Sequence, residues 1–163
     1  MVTIQSSGAD HTVLARLEPT DREPLCRFFY RLSPESLYRR FQVPIHRPDQ
    51  VPVDRLLSID RVNREAVASV VDGEIVGVAR FSRLAGSDVA EIAVVVADAW
   101  QGQGIGTRLL AALRECATRA GIRRFVMVFQ ADNGKFLSLA RRSYRDFKPT
   151  LRSGCLEATV SVA

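Results

Sequence analysis

The sequence predicts an α/β or α+β fold in which one central mixed sheet is flanked by helices. Two observations support this prediction. Residues 89–120 and 124–143 each begin as a largely apolar strand and continue through a turn into a helix with apolar residues at helical spacing. Upstream, Asp72-Gly73 separates two strand-like runs, and this dipeptide is typical of a two-residue hairpin turn. With 163 residues, 47% of them apolar, the chain is long enough for one domain with a single core.

The N-terminal half predicts a strand, two helices and a hairpin, in that order. A strand is expected over residues 12–17. Thr20 and Glu23 have the spacing of a capping box, which predicts a helix from there to about residue 32. Ser33 and Pro34 are typical of the N-cap and the first position of a second helix. The rest of this half predicts a proline-rich loop over 43–52, a short helix over 54–59, and hairpin strands over 65–71 and 74–84.

The C-terminal half predicts two strand–helix units and a final strand. The strand over 89–97 is almost entirely apolar, as expected for a strand covered on both faces. The helix over 105–120 has an apolar stripe, and Gly121 is suited to end it. A strand over 124–130, a helix from Asn133 to about residue 143, and a strand over 156–162 complete the prediction.

The charge of the chain favours anionic partners without indicating nucleic acid. Lys and Arg number 23 against 18 Asp and Glu, an excess that suits phosphorylated cofactors or acidic surfaces. The basic residues are scattered and are not interleaved with aromatic residues, so a nucleic-acid-binding surface is not favoured. No apolar run approaches the ~20 residues of a membrane span, and no apolar leader marks the N-terminus. We therefore expect a cytoplasmic protein without a membrane partner.

The cysteines and histidines are not arranged as in a metal site or a disulfide framework. Cys26, Cys116 and Cys155 are far apart and form no C-x-x-C motif. His11 and His46 each stand apart from other ligand-type residues. We expect three reduced thiols and no bound metal.

Three glycines at alternate positions, Gly102, Gly104 and Gly106, lie between the predicted strand over 89–97 and the helix that follows. Glycine lets the backbone bend sharply and approach another molecule closely. The first N–H groups of the helix have no intrahelical partner, and the helix dipole places partial positive charge there. A pyrophosphate group would satisfy both features. A tight turn without a ligand stays open, although one glycine would be enough for it.

Two familiar phosphate-binding motifs do not fit this segment. A P-loop needs Gly-Lys-Ser/Thr, whereas the chain has Gly-Thr-Arg over 106–108. The dinucleotide fingerprint G-x-G-x-x-G has a different spacing, belongs to the first strand of its domain, and needs an acidic residue after the next strand. A third pattern, Q/R-x-x-G-x-G/A, is matched at every position by Gln101, Gly104 and Gly106.

This third pattern resembles the acetyl-coenzyme A (acetyl-CoA) signature of the GNAT superfamily of N-acetyltransferases. The resemblance extends from about Arg64 to Phe147, and the runs 90–96 and 100–106 are similar to the acetyltransferase domain of bacterial protein lysine acetyltransferases. It implies a single GNAT domain over residues 1–163. It also implies a GNAT-like central sheet that is mixed, mostly antiparallel and splayed at the fourth strand, which is the strand over 89–97.

The resemblance also implies which residues bind acetyl-CoA, the co-substrate. The central strand at Val94, Val95 and Val96 has a bulged backbone that pairs with the pantetheine arm. Asn133 lies beside that arm, and its position after a strand also suits a helix N-cap. The pyrophosphate is held mainly by main-chain N–H groups of Gln101, Gly102, Gln103, Gly104, Ile105, Gly106 and Thr107.

Glu91 is the expected general base. It is the only charged residue of 89–97, so we expect it against apolar surroundings that make its carboxylate a better proton acceptor. A base is needed because an amine with a pKa of roughly 10.4 arrives protonated at neutral pH. A water molecule could relay the proton from the amine to Glu91. The resemblance implies a catalytic Glu at this position and the N–H of Val94 as oxyanion donor. Glu91 could instead face solvent at the strand end or pair with Arg80.

No general acid is assigned. Many members of the superfamily have a Tyr seven residues after the Asn, and that position is Ala140 here. Tyr144 lies about one helical turn further along the chain. The leaving thiol has a pKa of roughly 8.5, so we expect it to depart as thiolate, unaided or with the help of water.

We therefore expect an acetyl-CoA-dependent N-acetyltransferase that acts on a primary amine, with a protein lysine side chain favoured as acceptor. We expect the segment between the first two helices and the loop over 43–53 to form the wall of the acceptor site. Arginines surround the acidic residues there, namely Asp49, Asp54 and Asp60, which disfavours a polycationic acceptor and favours an acidic or neutral one. A small-molecule amine acetyltransferase remains an alternative. So does a non-catalytic acyl-CoA sensor, which would not need Glu91. A monomer and a homodimer both fit the sequence.

Overall fold

One sheet organises the residues described by the computed structural model, which are 1–6 and 12–163. Its strands in chain order are β1 (Val2–Ser6), β2 (Thr12–Arg16), β3 (Arg64–Val71), β4 (Glu74–Arg83), β5 (Val89–Val96), β6 (Arg124–Gln130), β7 (Thr150–Arg152) and β8 (Cys155–Ser161). The spatial order is β1-β2-β3-β4-β5-β6-β8-β7, and neighbouring strands are antiparallel except β5 and β6. The expected mixed, mostly antiparallel sheet is confirmed.

Helices cover both faces of this sheet. In the described part of the chain they are α1 (Arg22–Tyr30), α2 (Pro34–Phe41), α3 (Val53–Leu56), α4 (Ile105–Arg119) and α5 (Gly134–Ser143). The first three pack on one face, where Leu25 joins Val78 and Val95 in one buried cluster. The other two pack on the opposite face, where the cluster includes Ala79 and Phe81. Successive residues of β4 therefore alternate between two cores, as the two-residue period of a strand requires.

Two local predictions from the sequence are confirmed in the structure. Asp72 and Gly73 have φ angles of 49° and 81°, the positive values that the predicted hairpin turn requires at both positions. Ser33 is the N-cap of α2, and its hydroxyl oxygen accepts the N–H of Ser36 at 3.1 Å. Pro34 occupies the first helical position, where its missing N–H costs nothing.

Other local predictions are wrong. Asp21, not Thr20, is the N-cap residue of α1, and no side-chain capping hydrogen bond forms. The Asp21 carboxylate instead accepts the N–H of Glu18 at 2.8 Å. The helix expected over 54–59 spans only Val53–Leu56. Strands β1 and β7 were not expected from the sequence. Since β1 precedes the first predicted strand, the strand expected to be fourth is the fifth of the described strands.

The sheet splays between β5 and β6. These two parallel strands are paired only at Val89–Arg124, Ala90–Phe125 and Glu91–Val126. Beyond Glu91, β5 continues along β4 to Val96, whereas β6 continues along β8 to Gln130. The expected splay is confirmed, and one edge of β5 beyond Glu91 has no partner strand in the described part of the chain.

The free edge of β5 exposes main-chain hydrogen-bonding groups. The N–H of Ala97 donates to the carbonyl of Val76 at 2.8 Å, so this facing pair is hydrogen-bonded. Hydrogen-bonded and non-bonded pairs alternate in an antiparallel ladder, so the N–H and C=O groups of Val94 and Val96 point away from β4. The bulge that the resemblance implied is not seen in the pairing with β4, because its register runs without a shift from Gly77–Val96 to Arg83–Ala90.

Gly77 lets the first turn of α4 approach the sheet. A Cβ atom at this position would lie 2.9 Å from Cδ1 of Leu109 and 3.2 Å from Cγ2 of Ile105. Ile105 is the first residue of α4, so the closeness of α4 to the sheet sets where the glycine turn before it lies.

We expect Gly77→Ala to displace the start of α4 and to weaken binding of acetyl-CoA. Overpacking should lower the free energy of unfolding by about 1–3 kcal/mol. Gly73→Ala is the control, since its positive φ also costs stability, about 1–2 kcal/mol, at the distant hairpin. Chemical denaturation and calorimetric titration measure both effects. Equal acetyl-CoA affinity in the two variants would contradict the positioning role of Gly77.

Candidate active site

A cleft with a volume of about 1100 Å³ opens where β5 and β6 separate. Its walls come from the C-terminal part of β5, the glycine turn, the first turns of α4 and α5, and α2. It is lined by ten of the residues that the sequence predicted for acetyl-CoA binding: Val94, Val95, Val96, Gln101, Gly102, Gly104, Ile105, Gly106, Thr107 and Asn133. Two predicted residues, Gln103 and Glu91, are not in this lining.

The glycine turn presents unpaired N–H groups to the cleft. Gly102 and Gly104 have φ angles of 79° and 78°, and nothing lies within 4 Å of a Cβ atom added to either residue. Backbone conformation, not space, therefore requires these two glycines. Gly104 is the N-cap of α4, and its carbonyl accepts the N–H of Arg108 at 3.1 Å. The N–H groups of residues 105–107 therefore have no intrahelical acceptor, and the helix dipole adds partial positive charge beside them.

Gly106 serves a different purpose. A Cβ atom on Gly106 would lie 3.0 Å from Cδ2 of Leu139 in α5. The missing side chain lets α5 pack closely against the start of α4. Two of the helices that border the cleft, α4 and α5, are thereby held next to each other.

Gln101 is a structural link at the base of the turn. Its Nε2 donates to the carbonyl of Val96 at 3.0 Å and to the hydroxyl oxygen of Ser36 at 3.3 Å. Its Oε1 accepts from Nζ of Lys135 at 2.7 Å. The side chain thus connects β5, α2 and α5 around one end of the cleft. Gln103 has a more local role, since its Nε2 donates to the carbonyl of Ala99 at 3.1 Å.

Asn133 is the N-cap of α5. Its Oδ1 accepts the N–H of Phe136 at 3.1 Å, as the sequence predicted. The residue also lines the cleft opposite β5. The cap fixes the position of Asn133 whether or not a ligand is bound.

Sequence reasoning missed Asp98, which ties α2 to the end of β5. Its carboxylate accepts the N–H of Ser33 at 3.0 Å and the hydroxyls of Ser33 and Ser36 at 2.7 and 2.9 Å. Burial alone would raise the pKa of Asp98, but these hydrogen bonds outweigh it and lower the pKa. An acidic residue directly after a buried strand was a visible signal. The two serines that donate to it lie more than 60 residues away in the sequence, and no sequence signal connected them with Asp98.

The Glu91 side chain is exposed, so the expectation of apolar surroundings is wrong. Glu91 pairs with Ser82 of β4, and Arg80 pairs with Ala93, which places Glu91 and Arg80 on the sheet face that α1–α3 cover. Glu91 lies at the end of that face. In the described part of the chain it forms no ion pair with Arg80, although the two side chains attract each other at longer range. Of the alternatives left open, exposure at the strand end is the one observed.

Tyr144 is buried in the core and does not line the cleft. Its ring meets that of Phe125 edge-on at 6.5 Å, and its hydroxyl has no hydrogen-bond partner among the described residues. Burial raises the pKa of this phenol strongly. The position expected for a Tyr is occupied by the buried Ala140. Neither residue is placed to protonate a leaving group in the cleft.

The remaining candidate groups lie elsewhere. The three cysteines are free thiols, and burial raises the pKa of Cys116. His46 is exposed and outside the cleft lining, and His11 lies outside the described residues. Over residues 1–6 and 12–163, no three His, Cys, Asp or Glu side chains gather as a metal site would require, and no helix is long and apolar enough to span a membrane.

Comparison with known proteins gives consistent matches. The model of the Acetyltransferase (GNAT) family matches residues 27–143. The chain is 33% identical to Acetyltransferase PA5475 of Pseudomonas aeruginosa over 127 residues, which is 76% of this chain and 68% of that protein. It is 30% identical to Acetyltransferase Pat of Mycolicibacterium smegmatis over 135 residues, 81% of this chain but only 40% of that longer protein.

The fold agrees with these sequence matches. The crystal structure of the GNAT domain of S. lividans PAT superposes with a TM-score of 0.85 at 28% sequence identity, covering 92% of this chain and 90% of that one. The family model spans most of the chain, including the splayed strand, the glycine turn and both helices beside the cleft. The chain therefore belongs to the acetyltransferase (GNAT) family, as its Gln101–Gly106 pattern predicted.

Proposed function

We propose that residues 1–163 act as a single domain that transfers an acetyl group from acetyl-CoA to a primary amine, a lysine side chain of a protein, with Glu91 as general base. One observation supports the transfer most directly. The unpaired N–H groups at the start of α4 and the unpaired edge of β5 border the same cleft. A diphosphate joined to an amide-containing arm that ends in a thioester is complementary to that arrangement.

The fit of acetyl-CoA follows from the groups that the fold leaves unsatisfied. The pyrophosphate accepts hydrogen bonds from the N–H groups of Ile105, Gly106 and Thr107, as anions do at helix N-termini. The two amides of the pantetheine arm pair with the main chain of Val94 and Val96 as an added strand. The thioester then lies beside the N–H of Val94, at the point where β5 leaves β6.

The chemistry requires little from side chains. A neutral amine attacks the thioester carbonyl, and the C–N bond forms as the carbonyl electrons move to oxygen. The N–H of Val94 donates to this oxyanion. Collapse of the intermediate breaks the C–S bond and releases coenzyme A as a thiolate, since a thiol with a pKa of roughly 8.5 is a good leaving group. The amide nitrogen loses its remaining extra proton to solvent.

Glu91 removes the first proton through water. Val94 lies three positions after Glu91 along the extended strand, so their Cα atoms are about 10 Å apart. Direct contact with the attacking nitrogen is therefore replaced by a water relay. The exposure of the Glu91 carboxylate favours this route, because it can pass the proton on to bulk solvent.

A lysine on a protein is the acceptor that the chain's similarities favour. The sequence resembles the acetyltransferase domain of bacterial protein lysine acetyltransferases, and two of its relatives are named Pat and PAT. The wall of the cleft formed by α2 includes Arg39 and Arg40. Arg39 forms ion pairs with Asp132 and Glu35, whereas Arg40 has no carboxylate in contact among the described residues. The uncompensated charge of Arg40 disfavours a polycation such as a polyamine.

The proposed binding of the pyrophosphate by main-chain N–H groups at the start of α4 is tested by Gly104→Ala. An alanine at a φ of 78° should shift the turn and misdirect its N–H groups, so coenzyme A affinity should fall at least about tenfold. Gly121→Ala is the matched control. Gly121 follows the other end of α4, has a φ of 75° and also has nothing within 4 Å of an added Cβ. Calorimetry showing equal affinity in both variants would argue against the proposed phosphate site.

The absence of a tyrosine acid is tested by Tyr144→Phe. The hydroxyl lost in this variant is buried and unpartnered, so turnover should stay within about twofold of wild type and the melting temperature should not fall. A drop in kcat above about tenfold, or roughly 1.4 kcal/mol of activation free energy, would show that Tyr144 takes part in proton transfer.

The base is tested by Glu91→Gln. Turnover should fall at least about a hundredfold, the usual contribution of a general base, while coenzyme A affinity stays unchanged. Glu115→Gln is the control, since Glu115 is an exposed partner of Arg119 on α4. Rates are measured with acetyl-CoA and a whole-proteome mixture of acceptors, with the acetylated sites identified by mass spectrometry.

The outcomes separate the candidate functions. Acetylated lysines that disappear in Glu91→Gln support the proposal. Full activity in Glu91→Gln would remove Glu91 from the mechanism. Tight coenzyme A binding without acetylation of any amine by the wild-type chain would favour a non-catalytic acyl-CoA sensor instead.

A further inference from the structure

Arg40 and Arg80, here called the arginine pair, line one small hollow beside the cleft, on the face of the sheet that α1–α3 cover. Arg80 belongs to β4 and pairs with Ala93, so it shares this face with Glu91. Arg40 comes from the last turn of α2 and lines the cleft. The other residues of the hollow include Leu25 and Phe29.

The arginine pair lacks a countercharge in contact. Both side chains are half-buried, and among the described residues neither forms an ion pair. Arg80 donates only to the hydroxyl of Ser82, at 3.3 Å. The guanidinium of Arg40 lies over the ring of Phe41, 4.7 Å from its centre. Glu91, exposed and out of contact, is the one carboxylate that attracts them both.

Electrostatic repulsion between positive side chains adds to the free-energy cost of burying the arginine pair. Burial, and then the charge of Arg80, lower the pKa of Arg40 to about 10. Burial, and then the charges of Arg64 and Arg55, lower the pKa of Arg80. Arg80 is thus subject to the positive charges of Arg55 and Arg64 at this end of the sheet. Desolvated like charges destabilise a fold unless an anion compensates them.

Neighbouring arginines show that the chain supplies carboxylates elsewhere. Arg39, adjacent to Arg40, forms ion pairs with Asp132 and Glu35. Arg31 pairs with Glu74 at 2.8 Å. The missing carboxylate at the arginine pair is therefore not explained by a shortage of acidic residues in this region.

We propose that Arg40 and Arg80 form a subsite for a carboxylate that the acceptor carries close to its reactive amine. This inference rests on the proposed acetyl transfer and narrows its substrate class. The planar guanidinium groups can each bind a carboxylate through two hydrogen bonds. The pair lies beside Glu91 and on the sheet face opposite α4, so it serves the acceptor and not the diphosphate at the start of α4.

The subsite would also assist the reaction. Positive charge near the incoming ammonium group favours its neutral form, which is the nucleophile. The one carboxylate of the acceptor offsets only one of the two guanidinium charges, so the acceptor can bind while a net positive charge stays near its ammonium group. An acidic amine acceptor is thus bound and deprotonated at one place, whereas a neutral or polycationic amine lacks the compensating charge.

Matched acceptor pairs test the proposal with purified wild-type chain and acetyl-CoA. One pair is a lysine-centred peptide mixture with Glu at the flanking positions, compared with the same mixture carrying Gln. The other pair is Nα-acetyllysine, which has a free carboxylate, compared with its amide. We expect kcat/KM to favour the acidic member at least about tenfold in one pair. The pair that responds tells whether the carboxylate belongs to a protein side chain or to a small acid.

Variants assign the preference to the arginine pair. Arg80→Gln should reduce the preference below about twofold and leave coenzyme A affinity unchanged, because Arg80 is not in the cleft lining. Arg40→Gln should also reduce the preference below about twofold. Arg80→Lys keeps the charge but loses the guanidinium fork, so it should retain part of the preference. Arg123→Gln removes one charge at the exposed pair with Asp88 and should keep the full preference. If a Gln variant does not fold, Arg80→Lys decides: an intermediate preference supports the subsite, and an unchanged one overturns it.

The results that would overturn the carboxylate subsite differ from those that would overturn the proposed acetyl transfer. Equal rates within both acceptor pairs, an undiminished preference in the folded Gln variants, or weaker coenzyme A binding by Arg80→Gln would each overturn the subsite and leave the proposed acetyl transfer intact. Failure of the wild-type chain to acetylate any of the four acceptors or the proteome mixture would overturn the proposed function, and the subsite with it.

Discussion

Pairing between β5 and β6 stops after three residue pairs, and the rest of the site depends on this early end. A strand edge inside a protein normally has its N–H and C=O groups paired. Here the N–H and C=O groups of Val94 and the N–H of Val96 face a cleft instead, while the carbonyl of Val96 accepts from Nε2 of Gln101. The same strand leads into the glycine turn, so the unpaired N–H groups of α4 face that cleft too. One interruption of the sheet thus brings together two sets of main-chain donors that no side chain could replace.

The two sides of the splay are held apart by α2. On the β5 side, Ser33 and Ser36 donate to Asp98. On the β6 side, Nε2 of Gln42 donates to the carbonyl of Val128 at 2.7 Å, and Arg39 forms an ion pair with Asp132. The contacts on the β5 side and those on the β6 side together make α2 a bridge across the cleft. The Arg39 guanidinium holds the pKa of Asp132 below its usual range, so this link stays charged at neutral pH. We expect this bridge to hold the cleft at a width that suits the extended pantetheine arm of the proposed coenzyme.

The sequence was most informative where local chemistry decides the structure. Asp72-Gly73, Ser33-Pro34 and the pattern Gln101–Gly106 each require a particular backbone conformation, and each was predicted correctly. The missed features depend on contacts between distant residues. The partners of Asp98 in α2 and the exposure of Glu91 follow from how helices cover the sheet, which single-sequence periodicity does not show. Strand β1 does alternate apolar and polar residues over Val2–Ser6, so the signal for it was present.

We infer that main-chain N–H groups left unpaired by the splay hold the coenzyme, and amide NMR of the ¹⁵N-labelled chain probes these groups one by one. On titration with coenzyme A, we predict large shifts for the amides of Gly104–Thr107, Val94 and Val96. The amides of Gly121 and Ile122, at the other end of α4, should change little. Saturable binding that leaves the amides at the glycine turn and the free edge of β5 unshifted would contradict the account.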